Sequence, residues 1–244
     1  MSRLAENIAP CERNPQTKEI FLRLRKNPNI ILTPPRATTD APKIAEYLQD
    51  PRIYEFLVSP PVPYLLEHAE SWLARVTNER QPIVDELDEG RQVVGGCPFQ
   101  YLREVKPDGT DELIGSIDLT RCPFGHLMGN GAELDWENAE ANAKINMERP
   151  AGDPEIVWTI GDWLAPSHHG KGIMTDAVDT LLNDWGVRMN LHRVIVSAFP
   201  GNIGSIKVFQ KNGFRTTNIT DDAIEVRGTK RGLHTLEWRL KTVI

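Results

Sequence analysis

The 244-residue sequence predicts a single α/β domain built on a mixed sheet. Short β-branched segments alternate along the chain with stretches whose apolar residues recur at helical spacing. One of the strands, "EIVWTIGDWLAP", runs through a glycine turn straight into a long amphipathic stretch. A hydrophobic content of 40% with 25% charged residues belongs to an ordinary globular chain, and this length suits one generous domain.

The elements come in order. Residues 1–28 form a polar, irregular N-terminal extension, in which "EIFLRLRKN" reads as a short extra helix. "NIILTPP" (29–35) is a strand stopped by Pro34 and Pro35, since proline cannot donate to a sheet ladder. A helix starts at Thr39 or Asp40 as cap, with Pro42 in its first turn and Ile44, Tyr47 and Leu48 on one face. A second helix is read from about Leu65 to Arg80. "CPFQYLREV" and "ELIGSIDLT" then pair as a hairpin across the Pro-Asp-Gly of "KPDGTD".

Residues 121–154 break this rhythm. The segment carries Glu133, Asp135, Glu137, Glu140, Glu148 and Asp153 and is too long for an ordinary connection, so it is a functional loop or a disordered insert. The strand ending at Pro166 comes next, then the helix with Ile173, Ala177, Leu181 and Trp185 as one stripe. "HRVIVSAF" is a buried strand, "NIGSIKVFQKNGF" a short helix closed by Gly213, and "HTLEWRL" a last strand.

Composition excludes several classes. A net charge of −6 and a pI near 5.6 lack the basic footprint of nucleic-acid binding. No apolar run reaches the roughly 18 residues of a membrane span, and the first residues lack the apolar core of a secretory signal. Cys11, Cys97 and Cys122 are odd in number and widely spaced, which reads as free thiols in a reducing compartment; the expected location is cytoplasmic.

"SHHGKGIMT" (167–175) sits at the strand-to-helix turn. Such a turn presents unpaired backbone N–H groups and the positive end of a helix dipole to an anion, and Gly170 and Gly172 let a phosphate approach the main chain. The Walker pattern fails because Gly-Lys is followed by Gly, and the dinucleotide pattern fails because Thr175 stands at its third glycine. Adjacent His168 and His169 in a turn cannot easily share one ion, so no metal site is read.

On these residues the sequence resembles the GNAT acetyl-CoA-dependent N-acetyltransferases, and more narrowly the branch with the ribosomal-protein N-terminal alanine acetyltransferases. His169, Gly172 and Met174 stand at the places of that family's Gln/Arg-x-x-Gly-x-Gly/Ala motif. Asn202, Ser205, Lys211, Gly213 and Phe214 match its second motif. The early "LTPPRATTDAPKIAEYLQDPRIYEFLVSPPVPYLLEHAESWL" is similar to its first strand and helix pair. The resemblance spans roughly residues 30–240 and leaves out the extension and the acidic insert.

It implies a central splayed, mostly antiparallel sheet with helices on both faces, and acetyl-CoA wedged between two parallel strands. The pyrophosphate would rest on the backbone of His169, Gly170, Lys171, Gly172, Ile173 and Met174, with Leu164 and Phe209 beside the cofactor. Asn202 would hold the pantetheine arm or a water, and Ser205 would sit near the thioester sulfur. Two departures stand out. Met174 is bulky for its place, and Phe209 occupies the position where many relatives carry a tyrosine as general acid, which passes that role to Ser205.

The family's usual glutamate base falls on Thr159, which cannot serve. Strand alternation makes Glu155 the better substitute and Asp162 the outsider, with His126 a third candidate. Trp72 and Trp185 fall at core spacing, while Trp136, Trp158 and Trp163 are candidates for an acceptor pocket, core packing being the simpler role for the last two. The acidic insert lies just before this strand and could close over the acceptor, favouring a cationic amine. The expected activity is direct transfer of acetyl to a primary amine, either a small molecule or a protein N-terminus, by a monomer or homodimer. The alternative is a non-catalytic acyl-CoA-binding module, favoured by Phe209 and Thr159.

Overall fold

The computed structural model describes residues 8–129 and 134–241. Nine strands form one open sheet in the order β1-β2-β3-β4-β5-β6-β7-β9-β8. They are β1 (Glu12–Arg13), β2 (Ile20–Arg23), β3 (Ile30–Thr33), β4 (Tyr101–Val105), β5 (Asp111–Arg121), β6 (Val157–Leu164), β7 (Arg193–Ala198), β8 (Arg215–Val226) and β9 (Thr229–Arg239). Every neighbouring pair is antiparallel except β6 and β7. The mixed sheet read from the sequence is therefore present.

Helices cover both faces. On one, Ala41 and Ile44 of α1 (Ala41–Tyr47) and Ala69, Leu73 and Val76 of α3 (Leu66–Asp88) pack on Tyr101 and Leu113. A four-residue helix α2 (Pro51–Tyr54) lies just after α1, capped by the Asp50 side chain. On the other face, α5 (Ile173–Thr180) and α6 (Ile203–Lys211) pack into the main core. The chain of α5 runs on through a π-helical turn at Leu181–Trp185 and a last turn at Gly186–Arg188. The predicted stripe of Ile173, Ala177, Leu181 and Trp185 is buried there.

Three local expectations change. "EIFLRLRKN" is strand β2 rather than a helix, because Ile20, Leu22 and Leu24 alternate into the core while Phe21 and Arg23 face outward. The extension thereby adds two strands to the sheet edge, and Ile8, Cys11, Ile20, Leu22 and Leu24 belong to the same core as α5. The second helix does not stop near Arg80 but continues through Pro82 to Asp88. Proline forfeits one helical hydrogen bond, and burial of Leu87 with packing of Ile83 and Val84 on the core offsets it.

The acidic insert is folded over its described part. Helix α4 (Ala139–Glu148) is held by buried Asn146, whose amide donates to Cys122 O and Val157 O while its oxygen accepts from Val157 N at 2.8 Å. Arg121 donates to the carbonyls of Asn146, Met147 and Arg149, satisfying the orphan acceptors at the end of α4. Glu133 lies outside the described residues. The three cysteines are free and buried, and burial pushes the Cys97 thiol up to about 12.

Candidate active site

The parallel strands β6 and β7 share only two register positions, Val157 with Arg193 and Trp158 with Val194. Beyond Trp158 they part: β6 stays paired to β5 as far as Leu164, and β7 to β9 as far as Ala198. The sheet is splayed there, and each strand leads into a helix at the open end.

Gly172 is the residue before α5, with φ +78° and no side-chain cap, so the first-turn N–H groups carry no capping partner. Gly170 has φ +73°, and a Cβ built on either glycine would meet nothing within 4 Å. This open, left-handed turn suits a large anion on the main chain. The residues present fit the diphosphate of an acyl-CoA, with backbone rather than side chains making the contact. Ile173 and Met174 are buried in the core, so each offers only its N–H, and the bulk of Met174 is accommodated away from the cradle.

The histidines are spoken for. His169 Nε2 lies 2.8 Å from Leu164 O, and since a carbonyl can only accept, the imidazole donates and ties the turn to the end of β6. His168 meets Ser167 Oγ at 2.9 Å and faces Glu104. Among the described residues no group of His, Cys, Asp or Glu could hold a metal ion.

Helix α6 follows β7 at the open end of the splay, and its C-terminal end is the one fastened to the start of α5. Asn202 is its N-cap, accepting from Ser205 N at 3.2 Å, and Asn212 Nδ2 donates to Thr175 O, fastening α6 to α5. Ser205 is half-buried at the same end of the splay. Phe209, expected beside the cofactor, is 1% exposed and packs on Phe214 in the main core, so its ring presents no open face to the cradle. A contribution that the sequence did not suggest comes from the extension. Asp176, in the first turn of α5, accepts from Lys26 N, Asn27 N and Asn27 Nδ2, and Thr180 Oγ1 accepts from Arg25 N. The N-terminal turn thus clamps the cradle helix.

The candidate bases are sorted by position. Glu155 is exposed before β6 begins, and the nine residues to Leu164 put it about 30 Å of strand away from the cradle. That removes it from the group formed by Asn202 and Ser205. His126 is stacked on exposed Trp136 at 4.0 Å, on the insert. Asp162 does lie in the splay, on the face of Ile160 and Leu164, opposite Ile117. Burial and the Asp118 charge raise its carboxyl from 3.8 to about 7.

Asp118 has no place among the sequence candidates. It pairs with Gly161 on β6, and its Oδ1 accepts from Gly161 N at 2.9 Å. A Cβ at position 161 would stand 2.9 Å from that oxygen, so only glycine permits this approach. Thr159 points to the same face one step along the strand, opposite Thr120. Burial raises the Asp118 carboxyl above the usual range, against the pull of Arg80. Gly161 is therefore straddled by two carboxylates, Asp118 on the α3 face and Asp162 on the α5 face. The sequence cue to Asp118 is an acid in an otherwise apolar strand, "LIGSIDLT".

Trp163 packs against Tyr47 with ring centroids 5.7 Å apart, which assigns it to the core. No helix among the described residues is long and apolar enough to cross a membrane.

A family model described as "Acetyltransferase (GNAT) domain" matches residues 29–215. The chain is 36% identical over 69 residues to a probable N-acetyltransferase, YjcK, of Bacillus subtilis, a match covering 28% of this chain and 38% of that protein. To the ribosomal-protein-serine acetyltransferase of Escherichia coli it is 25% identical over 179 residues, 72% of this chain and 83% of that one. The microcin C7 self-immunity acetyltransferase MccE, solved with acetyl-CoA and AMP, superposes with a TM-score of 0.55 at 16% identity, covering 88% of this chain and 94% of that one, which shows a shared fold. With the splayed sheet, the open glycine turn and a family match over most of its length, the chain belongs to the GNAT acetyltransferase family.

Proposed function

We propose that the protein is an N-acetyltransferase that passes the acetyl group of acetyl-CoA directly to a primary amine. The observation that carries this reading is the splay of β6 from β7 after Trp158 and Val194, with the Gly170–Gly172 turn at its open end. The acetyl-CoA seen in MccE supports the same donor. When bound, acetyl-CoA supplies an acyl group already activated as a thioester.

The backbone of residues 169–174 holds the phosphates, and Asn202 stations the first turn of α6 at the splay. The amine must be neutral to attack. At pH 7 that costs about 1 kcal/mol for an α-amine of pKa ~8 and about 4–5 kcal/mol for a lysine-like amine. The α-amine is the easier acceptor. As the N–C bond forms and the C–S bond breaks, Asp118 takes the amine proton. The Ser205 hydroxyl gives a proton to the departing sulfur and regains one from solvent. Asp118 is assigned as base because it lies on the face opposite α5, which leaves the donor and acceptor opposite sides of β6. A second reading places the base at Asp162, whose value of about 7 suits proton transfer at neutral pH.

The test is CoA release with mass detection of product over a panel of amines. Acetylated amine formed in step with CoA is expected. Acetyl-CoA binding without product from any amine would favour the non-catalytic binding module. Asn202→Ala and Ser205→Ala are each expected to lower kcat, and full turnover in both would refute their roles.

A further inference from the structure

On the α3 face, a cavity of about 490 Å³ lies between α3, the second half of β5 and the insert. Arg80 and Asp118 form its polar end, Trp72 and Ile83 supply apolar wall, and Met147 of the insert closes one side. Arg80 is 5% exposed. Its Nη2 donates to Gln100 Oε1 at 2.6 Å and lies 3.9 Å from Asp118 Oδ2, while Gln100 passes the chain on to Ser116 Oγ at 3.0 Å. Its Nε is buried and has no hydrogen-bond partner.

A buried guanidinium with an unused N–H is costly unless something accepts from it. Arg80 and Asp118 stand side by side with opposite charge, so the cavity is complementary to a ligand carrying an anion and an amine on neighbouring atoms. Asp118 also reaches Gly161 in the splay, which joins this cavity to the place where transfer would occur. Resting on the acetyl-transfer reading above, we propose that this cavity is the acceptor site and that its acceptor is a free α-amino acid with an apolar side chain. The carboxylate meets Arg80, the amine meets Asp118, and the side chain lies among Trp72, Ile83 and Met147. The Arg80 charge next to the amine lowers the amine's pKa, and Asp118 removes its proton. A peptide N-terminus fits less well, because the carbonyl beside its amine is an amide and presents no charge to Arg80. The insert then forms a wall of the acceptor site through Met147, Arg121 and Pro123, not a lid at the cradle end.

The probes are L-phenylalanine, 2-phenylethylamine, which lacks only the carboxylate, and L-phenylalanine amide, which stands in for a peptide N-terminus. L-phenylalanine is expected to exceed both others in kcat/KM by about 10⁴-fold, the size of discrimination when a site's buried polar groups go unmet. Arg80→Gln is expected to bring L-phenylalanine down to the level of 2-phenylethylamine, and Arg80→Lys to restore part of the preference. Should Arg80→Gln not fold, the wild-type comparison and a second readout decide. L-phenylalanine is expected to change the tryptophan emission of the protein without acetyl-CoA, through Trp72, while 2-phenylethylamine does not. Equal kcat/KM for the three acceptors, or preference for the amide, overturns the acceptor assignment and leaves acetyl transfer standing. No turnover of any amine defeats acetyl transfer itself; a fluorescence response confined to L-phenylalanine would then keep the cavity as a carboxylate site, and no response would remove both.

Discussion

The two sides of β6 are built to offer different kinds of contact. On the α5 face the cradle is made of main chain: two glycines at positive φ, a helix start with no side-chain cap, and histidines turned to structural hydrogen bonds. On the α3 face the cavity is made of buried side-chain charge, with Arg80, Gln100, Ser116 and Asp118 in one polar chain. A backbone cradle depends on conformation and tolerates side-chain exchange as long as the turn is kept. A buried charge pair depends on the identity of two residues and fails when either is lost.

That contrast can be broken at the cradle first. Gly172→Val puts a β-branched side chain at φ +78° and into the space a phosphate would use, so acetyl-CoA affinity is expected to fall about 100-fold, or about 2.7 kcal/mol. A calorimetric titration checks this. On the other face, Asp118→Asn is expected to lower kcat by about 100-fold or more, the usual scale for loss of a general base. It should also remove the acidic limb of the kcat/KM–pH profile. Survival of that limb in Asp118→Asn, and its loss in Asp162→Asn, would transfer the role to Asp162.

The insert offers a test of intermediate size. Asn146→Ala takes the side-chain partner from Val157 N and Cys122 O, while Val157 O keeps its bond from Cys122 N, at about 1–3 kcal/mol for each group left unpaired and kept from water. A lower Tm with an altered amine KM and an unchanged acetyl-CoA affinity is expected, since Met147 of α4 lines the proposed acceptor cavity.

The smallest effect concerns stability. A carboxyl raised from 3.8 to about 7 is favoured in its neutral form by folding, so its contribution is present below about pH 4 and lost as pH rises through about 7. Asp162→Asn should therefore raise Tm at pH 8 by a few degrees and leave it unchanged at pH 4, as thermal scans at the two pH values will show.

Legibility in the sequence divides along the same line. The glycine turn, the strand before it and the capped helix at Asn202 are local features, written in consecutive residues, and they are readable without a structure. The splay and the cavity are not local. Asp118 and Gly161 meet only through β5–β6 register, and Arg80, at the expected end of its helix, reaches Asp118 only through the packing of α3 across the sheet. Glu155 rests on alternation alone, which gives the face of a strand but not how far along it the reacting groups sit. Phe209 carries a family position into a core that the packing of Phe214 decides. The extension reads as a helix because its three buried residues at period two, Ile20, Leu22 and Leu24, are interleaved with Phe21, which blurs the alternation.

The separation of donor and acceptor across β6 is most directly tested by titrating acetyl-CoA into Asp118→Asn in the calorimeter and measuring its turnover in parallel. An acetyl-CoA Kd within about twofold of wild type, alongside a kcat reduced by about 100-fold, is the predicted result. A Kd that weakens in step with kcat would contradict it, because Asp118 would then belong to the donor site.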